Sequence, residues 1–175
     1  MRIALVNGIA THGKGNIDEL IEPLRDLGHD VVDVDLPKRH FISAWWGHKA
    51  DSDAIWRQAT ACDAVIAHSF GGPRAWEADR RCNFQKLIFI APAMDQHTAL
   101  SNRKREKQVY CLHSEADLPV RIGSWLPWHP FGRAGVNGFS DPVAMNFEFG
   151  CGHSGYFKMP LLSDTVRLIH RCLND

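Results

Sequence analysis

The sequence has no excess of charge of either sign, because twenty Lys and Arg residues balance twenty Asp and Glu residues. Proteins that attract nucleic acid or anionic membranes by general electrostatics carry a basic surplus. The one basic run, residues 102–107, is interrupted by an acidic residue and has no aromatic neighbours, which is typical of a solvated helix face. The composition therefore predicts no nucleic-acid partner.

Long hydrophobic runs and cysteine pairs are also missing. No apolar segment approaches the roughly 20 residues that a membrane-spanning helix needs, and the first one, residues 3–6, is too short for a secretory leader. The five cysteines, at positions 62, 82, 111, 151 and 172, include no C-x-x-C pair. Their odd number and scattered positions favour reduced thiols over a disulfide framework or a zinc site. We therefore expect a cytoplasmic protein with no membrane span and no metal.

Short apolar segments alternate with helix-like segments along the chain. Nearly continuous apolar runs, typical of strands covered on both faces, predict strands at 3–7, 30–34, 64–68, 87–91, 109–113 and 145–149. Helical spacing predicts helices over 16–27, 52–61, 72–81 and about 160–172, with a kink at Pro23. This alternation is typical of βαβ units. We predict one α/β domain over residues 1–175, a three-layer α/β/α sandwich with a mainly parallel six-stranded sheet.

A glycine-rich segment after the first predicted strand has more than one interpretation. Residues 8–14 spell G-x-x-x-x-G-K, most of the phosphate-binding loop of nucleotide-binding proteins. That loop needs a Ser or Thr after the Lys to hold magnesium, whereas this position is Gly15. The missing hydroxyl argues against a nucleotide site. The glycines then fit a strand-to-helix turn or a loop that serves another reaction.

The segment 64–72 reads A-V-I-A-H-S-F-G-G, a predicted strand that runs into a turn and a helix. Its A-H-S-F-G portion matches the nucleophile-elbow pattern G-x-S-x-G with Ala67 at the first position. Small residues flank the serine in such a turn because larger ones would collide with the neighbouring strand and helix. Ser69 would then project above the sheet, with the backbone N–H of Phe70 facing a developing oxyanion. The alternative is a serine at a helix N-cap.

With this turn, the sequence resembles the α/β-hydrolase family, especially its small members with a minimal form of the fold. The family orders its catalytic residues as Ser, then Asp or Glu, then His. The segment S-E-A-D-L-P-V, residues 114–120, lies where the family places its acid, and G-C-G-H-S-G-Y-F, residues 150–157, is similar to its histidine loop. The resemblance spans nearly the whole chain and implies a catalytic triad of Ser69, Asp117 and His153.

The resemblance also implies a reaction. A carboxylesterase- or lipase-like serine hydrolase would cleave an ester or related acyl bond of a small molecule through an acyl-enzyme, without a cofactor or metal. His153 would accept the Ser69 proton, and Asp117 would orient the imidazole. Phe70 would supply one oxyanion donor from its backbone. The acyl length, the preference among ester, amide and thioester, and the oligomeric state do not follow from the sequence.

In the small members, the second oxyanion donor comes from the loop after the first strand. Here it would be the N–H of Ile9 or of the neighbouring Ala10, while Gly8 would let the backbone approach the substrate closely. Two aromatic segments, 41–47 and 125–131, would either line an apolar pocket or pack as a small satellite core. Their pocket candidates are Trp45, Trp46 and Trp128.

The identity of the acid stays open among several carboxylates. Asp95 follows the fourth predicted strand, where some family members take their acid, and Glu115 and Asp141 are further candidates. Asp117 is favoured because it lies in the turn after the penultimate predicted strand.

Two residues beside the predicted triad have ordinary interpretations. Cys151 lies two residues before His153 and is better interpreted as a small buried residue than as a nucleophile. His68 precedes Ser69, and its side chain is expected to point away from the serine.

The alternative function is a binding or regulatory protein that keeps the fold without turnover; a nucleotide-binding protein is less favoured.

Overall fold

The structure is a computed structural model, and it describes residues 1–8, 16–36, 48–102, 107–125 and 132–175. The strands are β1 (Arg2–Val6), β2 (Asp30–Asp33), β3 (Ala64–His68), β4 (Lys86–Ile90), β5 (Gln108–His113) and β6 (Ala144–Glu148). The α-helices are α1 (Ile21–Asp26), α2 (His48–Ala59), α3 (Gly71–Cys82), α4 (Leu118–Gly123), α5 (Ala134–Asn137) and α6 (Leu161–Asn174). Short 3-10 helices span Ile17–Leu20, Leu100–Asn102 and Gly155–Phe157.

The six strands form one sheet in the order β2-β1-β3-β4-β5-β6, and every pairing in it is parallel. All six strands lie within a residue or so of their predicted positions, and the parallel α/β sheet is confirmed. Because the strands are parallel, their carboxyl ends meet at one edge. Loops that follow β1, β3, β5 and β6 can therefore converge there.

Hydrophobic clusters cover both faces of the sheet, as the predicted three-layer arrangement requires. Alternate strand residues point to opposite sides, so each strand contributes to both clusters. On one face the strands pack against α2 and α3, and on the other against α1 and α6. The first cluster includes Ala4, Val65, Leu87 and Val109, and the second includes Ile3, Ala64, Ile88 and Tyr110.

The first helical segment is divided in a way that accommodates Pro23. A 3-10 helix precedes α1, so the proline falls in the first turn of α1 rather than in mid-helix. A proline costs little in a first turn, where its missing N–H would have no intrahelical partner. The change of helix type thus replaces the predicted kink. Gly28, with φ +84°, follows the end of this segment, in a conformation that glycine adopts without strain.

A buried ion pair joins the two helices on one face of the sheet. The Arg74 guanidinium of α3 lies 3.0 Å from the Asp51 carboxylate of α2, and their side chains are 2% and 0% exposed. The same guanidinium lies 4.6 Å from the centre of the Phe70 ring. Charges removed from water in this way depend on their partners, so this pair connects α2 to the start of α3.

Arg74→Met should lower the free energy of unfolding by about 3 kcal/mol or more, because it leaves the Asp51 carboxylate buried without its cation. Arg80→Met on the same helix is the matched control. The Arg80–Glu77 pair is 63% and 45% exposed, and losing such a pair costs about 1 kcal/mol or less. Urea unfolding measures both; similar losses for the two variants would contradict the importance of the buried pair.

Candidate active site

Ser69 occupies a strained turn between β3 and α3. Its φ angle is +55°, in the left-handed region that side chains other than glycine seldom adopt. Its N–H donates to the carbonyl of Ile90 at 3.0 Å, and its carbonyl accepts from the N–H groups of Gly72 at 3.1 Å and Ala93 at 3.0 Å. These bonds fix both ends of the strained residue. The geometry is that of the predicted nucleophile elbow.

The end of β1 presses directly against this turn. A Cβ atom on Gly71 would lie 2.5 Å from the carbonyl oxygen of Val6 and 2.8 Å from that of Asn7. A Cβ on Gly8 would lie 3.1 Å from the Cβ of Ser69. Position 71 therefore has no room for a side chain, as the elbow pattern predicts, and the Gly8 backbone lies beside the serine.

The side chains of Ser69, His153 and Asp117 form a continuous chain of hydrogen bonds. The Ser69 Oγ and His153 Nε2 atoms are 2.9 Å apart, and His153 Nδ1 is 2.8 Å from Asp117 Oδ2. A carboxylate only accepts, so His153 donates from Nδ1. In the neutral imidazole, Nε2 then carries a lone pair and accepts a hydrogen bond from the Ser69 hydroxyl. The structure thus brings together the three residues that the sequence singled out.

Asp117 is held as the N-cap residue of α4. It is fully buried, and its Oδ1 atom accepts the N–H of Val120 at 3.0 Å. One carboxylate oxygen thus caps the helix while the other accepts from His153. An N-cap is a favourable place for a negative charge because unpaired N–H groups point towards it. The helix therefore fixes the carboxylate in orientation.

Ser114 connects the turn before Asp117 to the loop that carries His153, a role that sequence reasoning missed. Its hydroxyl oxygen accepts the N–H of Ala116 and the N–H of Cys151, each at 3.2 Å, and the residue is fully buried. A serine that bonds two residues ahead is a recognisable turn signal. The bond to Cys151 depends on the tertiary fold and has no sequence signal.

The competing carboxylates have other partners. Asp95 is exposed, and its Oδ1 atom accepts the N–H of His97 at 3.0 Å. Asp141 accepts the backbone N–H and the hydroxyl of Ser101, and these bonds, together with the N–H of Val143, lower the pKa of its carboxyl group. Glu115 is exposed. Among the predicted acids, the contact with His153 belongs to Asp117.

The cysteines are buried thiols that form no disulfides. Cys151 is 7% exposed, and burial raises the pKa of its thiol. A thiol that resists ionisation is a weak nucleophile, so the interpretation of Cys151 as a buried small residue holds.

The oxyanion and pocket candidates divide between the described and the undescribed parts of the chain. Phe70 is buried at the N-cap position of α3, directly after the serine. The loop candidate Ile9 and its neighbour Ala10 lie outside the described residues. So do the aromatic candidates Trp45, Trp46 and Trp128, and the rest of the 8–14 segment beyond Gly8.

His68 is a buried neutral histidine beside the hydrogen-bonded chain. It is 2% exposed. Burial, and secondarily the nearby His153, lower the pKa of His68 from 6.5 to about 3. The ring of His68 lies 4.8 Å from that of His153, centre to centre.

Comparison with solved structures identifies the fold. The chain is similar to an α/β-hydrolase from the metagenome of Mar Chica lagoon sediments, with a TM-score of 0.66 and 13% identity over 99% of this chain and 90% of that one. It is also similar to an α/β serine hydrolase without a lid from Xanthomonas campestris, with a TM-score of 0.61 and 16% identity over 99% of this chain and 80% of that one. A thioesterase of the prodiginine pathway in Streptomyces coelicolor matches with a TM-score of 0.60 and 15% identity, over 98% of this chain and 85% of that one. The protein has the α/β-hydrolase fold.

No protein-family model and no curated sequence matches the chain. In the described residues, no helix has the length and apolar character to cross a bilayer. The same part of the chain contains no cluster of three or more His, Cys, Asp or Glu side chains arranged to hold a metal ion.

Gly71→Ala should destabilise the protein by about 2 kcal/mol or more, because the new methyl group meets backbone oxygens that cannot move independently of β1. Gly150→Ala is the matched control, since a Cβ there meets no atom within 4 Å. Thermal unfolding followed by circular dichroism compares the two. Equal melting temperatures would show that the turn tolerates a side chain at position 71.

The free energy of unfolding should fall as the pH is lowered from 7 to 5. In this range the unfolded chain takes up a proton on His68, whereas the low pKa of His68 in the folded protein keeps the ring neutral, so protons favour unfolding. The His68 contribution is about 2 kcal/mol over these two pH units. Urea unfolding at each pH measures it, and His68→Gln should remove that share of the slope. An unchanged slope in this variant would contradict the prediction.

Proposed function

We propose that this protein is a serine hydrolase that cleaves a carboxylic ester or related acyl bond through an acyl-enzyme. The observation that carries the proposal is the chain of hydrogen bonds from Ser69 through His153 to Asp117, with distances of 2.9 and 2.8 Å. A serine hydroxyl becomes a useful nucleophile when an adjacent imidazole accepts its proton. Its position on a strained turn at the carboxyl edge of the sheet is where this fold presents a nucleophile.

The proposed reaction begins with proton transfer from the Ser69 hydroxyl to His153 Nε2 as Oγ attacks the acyl carbon. Asp117 stabilises the resulting imidazolium without itself taking the proton. His153 then gives the proton to the leaving alcohol, and the acyl group stays on Oγ. A water molecule, deprotonated by the same imidazole, hydrolyses the acyl-enzyme and restores the serine. No step requires a metal or a cofactor.

The proposed oxyanion hole uses backbone N–H groups from two segments of the chain. The Phe70 N–H lies at the first turn of α3, where the helix dipole favours negative charge. For the second donor we propose the backbone N–H of Ile9 or of the neighbouring Ala10, because Gly8, which precedes them in the sequence, lies beside Ser69. Donors placed before the charge develops are worth about 3 kcal/mol each in related reactions.

The names of the structural neighbours are consistent with acyl chemistry. One is described as a serine hydrolase and another as a thioesterase. Since a fold hosts many functions, these names support the proposal only together with the geometry of this chain. We further propose that the protein is cytoplasmic, that its substrate is a small molecule, and that residues 1–175 form a single domain.

Labelling with a fluorophosphonate probe tests the nucleophile. The wild-type protein should be labelled at Ser69, with fluoride as the leaving group, and Ser69→Ala should not be labelled. His153→Ala and Asp117→Asn should react roughly 10³-fold more slowly or worse, because they remove the base and its orienting carboxylate. Mass spectrometry locates the adduct, and stopped reactions give the rates.

Asp95→Asn is the control for the acid, because that carboxylate contacts its own loop rather than His153. It should react within about twofold of wild type. Loss of labelling in Asp95→Asn, with Asp117→Asn unaffected, would show that Asp95 rather than Asp117 is the acid. If the wild-type protein is folded but is not labelled, the interpretation as a binding protein with this fold is favoured. If ATP with magnesium raises the melting temperature, the interpretation as a nucleotide-binding protein is favoured.

A further inference from the structure

His68 bridges the predicted nucleophile and the loop that carries His153. It is the last residue of β3, paired in register with Ile90 of β4, and is bonded covalently to Ser69. Its Nε2 atom lies 3.2 Å from the backbone carbonyl oxygen of His153. The sequence suggested only that this side chain would point away from the serine. The structure shows in addition that the ring reaches the loop that carries His153.

The partner of His68 fixes its tautomer. A carbonyl oxygen only accepts hydrogen bonds, so Nε2 must carry the proton and donate it. Nδ1 is then the unprotonated nitrogen, and it has no hydrogen-bond partner in the described part of the chain. This arrangement is stable only while the ring stays neutral, because a proton on Nδ1 would be buried without an acceptor.

The surroundings of His68 hold the ring in place and keep it neutral. The ring meets that of Phe157 edge to face, 4.9 Å away at an interplanar angle of 86°. Burial and the neighbouring His153 keep the pKa of His68 far below neutrality. A positive charge at this position would oppose the imidazolium that forms on His153 during the proposed reaction, at a ring separation of 4.8 Å. A neutral donor avoids that repulsion.

We propose that His68 is a positioning residue, whose hydrogen bond from Nε2 to the His153 carbonyl sets the distance between the His153 imidazole and the Ser69 hydroxyl. The inference rests on the proposed function for its consequence in catalysis, but its geometry does not. A base displaced by about 1 Å can lose around 10²-fold in rate. The bond therefore matters for proton transfer rather than for substrate binding.

The first experiment measures the tautomer in the wild-type protein by ¹⁵N-edited NMR of the histidine side chains. We expect His68 to be protonated on Nε2 and unprotonated on Nδ1, unchanged between about pH 5 and 8. Protonation on Nδ1 instead, or a charged ring in this range, would overturn the proposal. This measurement needs no activity and no variant.

The second experiment compares His68→Gln with His68→Phe. Gln keeps an N–H donor of similar reach, whereas Phe keeps the ring and its contact with Phe157 but cannot donate. With an ester substrate, His68→Phe should lose about 10- to 100-fold in kcat with KM within about twofold, and His68→Gln should recover most of that loss. Equal losses in the two variants, or full activity in His68→Phe, would overturn the proposal. If His68→Phe does not fold, His68→Met takes its place as the variant without a donor.

Amide hydrogen exchange separates failure of this inference from failure of the proposed function. The Cys151 N–H is bonded to Ser114, and the Gly155 N–H to Gly152, within the histidine loop. Both should exchange at least about tenfold faster in His68→Phe than in His68→Gln. If the wild type is not labelled by the fluorophosphonate, the proposed function fails, and this exchange decides whether His68 positions the loop. Equal exchange in the two variants would overturn the inference.

Discussion

The positive φ angle of Ser69 is the constraint on which the rest of the site depends. A residue held in that conformation costs of the order of 1–3 kcal/mol and persists only where its surroundings over-determine it. Here the surroundings are backbone groups of three segments, since β4, the turn after it and the first turn of α3 all bond to Ser69. The same turn explains why position 71 is a glycine, because β1 occupies the space that a side chain would need.

The parallel sheet brings the three residues Ser69, Asp117 and His153 together. His153 is 84 residues from Ser69 and 36 from Asp117 in sequence, yet it contacts both. Each of the three follows a strand, and parallel strands deliver their following loops to one edge. The final adjustment is made by hydrogen bonds between loops rather than by the sheet. Ser114 bonds to the loop that carries His153, and His68 connects that loop to the strand before Ser69.

The sequence predicted most of this arrangement where a physical pattern was long enough to detect. The strands were found because apolar runs buried on both faces stand out. Helices α4 and α5, with 6 and 4 residues, are too short to show a helical period and were not predicted. Spacing alone did not distinguish Asp117 from Asp95. What distinguishes them is burial at a helix N-cap, and this depends on how the chain folds around His153.

Two buried ion pairs lie outside the site, and the environment of Asp117 differs from theirs. In the described chain, Arg74 faces Asp51 and Lys107 faces Asp79, each as a full ion pair. The partners of Asp117 are instead an N–H of its own helix and a histidine that is neutral while it accepts from Ser69. Its negative charge is therefore only partly compensated at rest. In the proposed reaction the compensation becomes complete when His153 takes the serine proton, so the site stabilises the charge-separated state more than the resting one. A neutral His68 preserves this difference, because a cation 4.8 Å from the His153 ring would oppose the imidazolium that forms there.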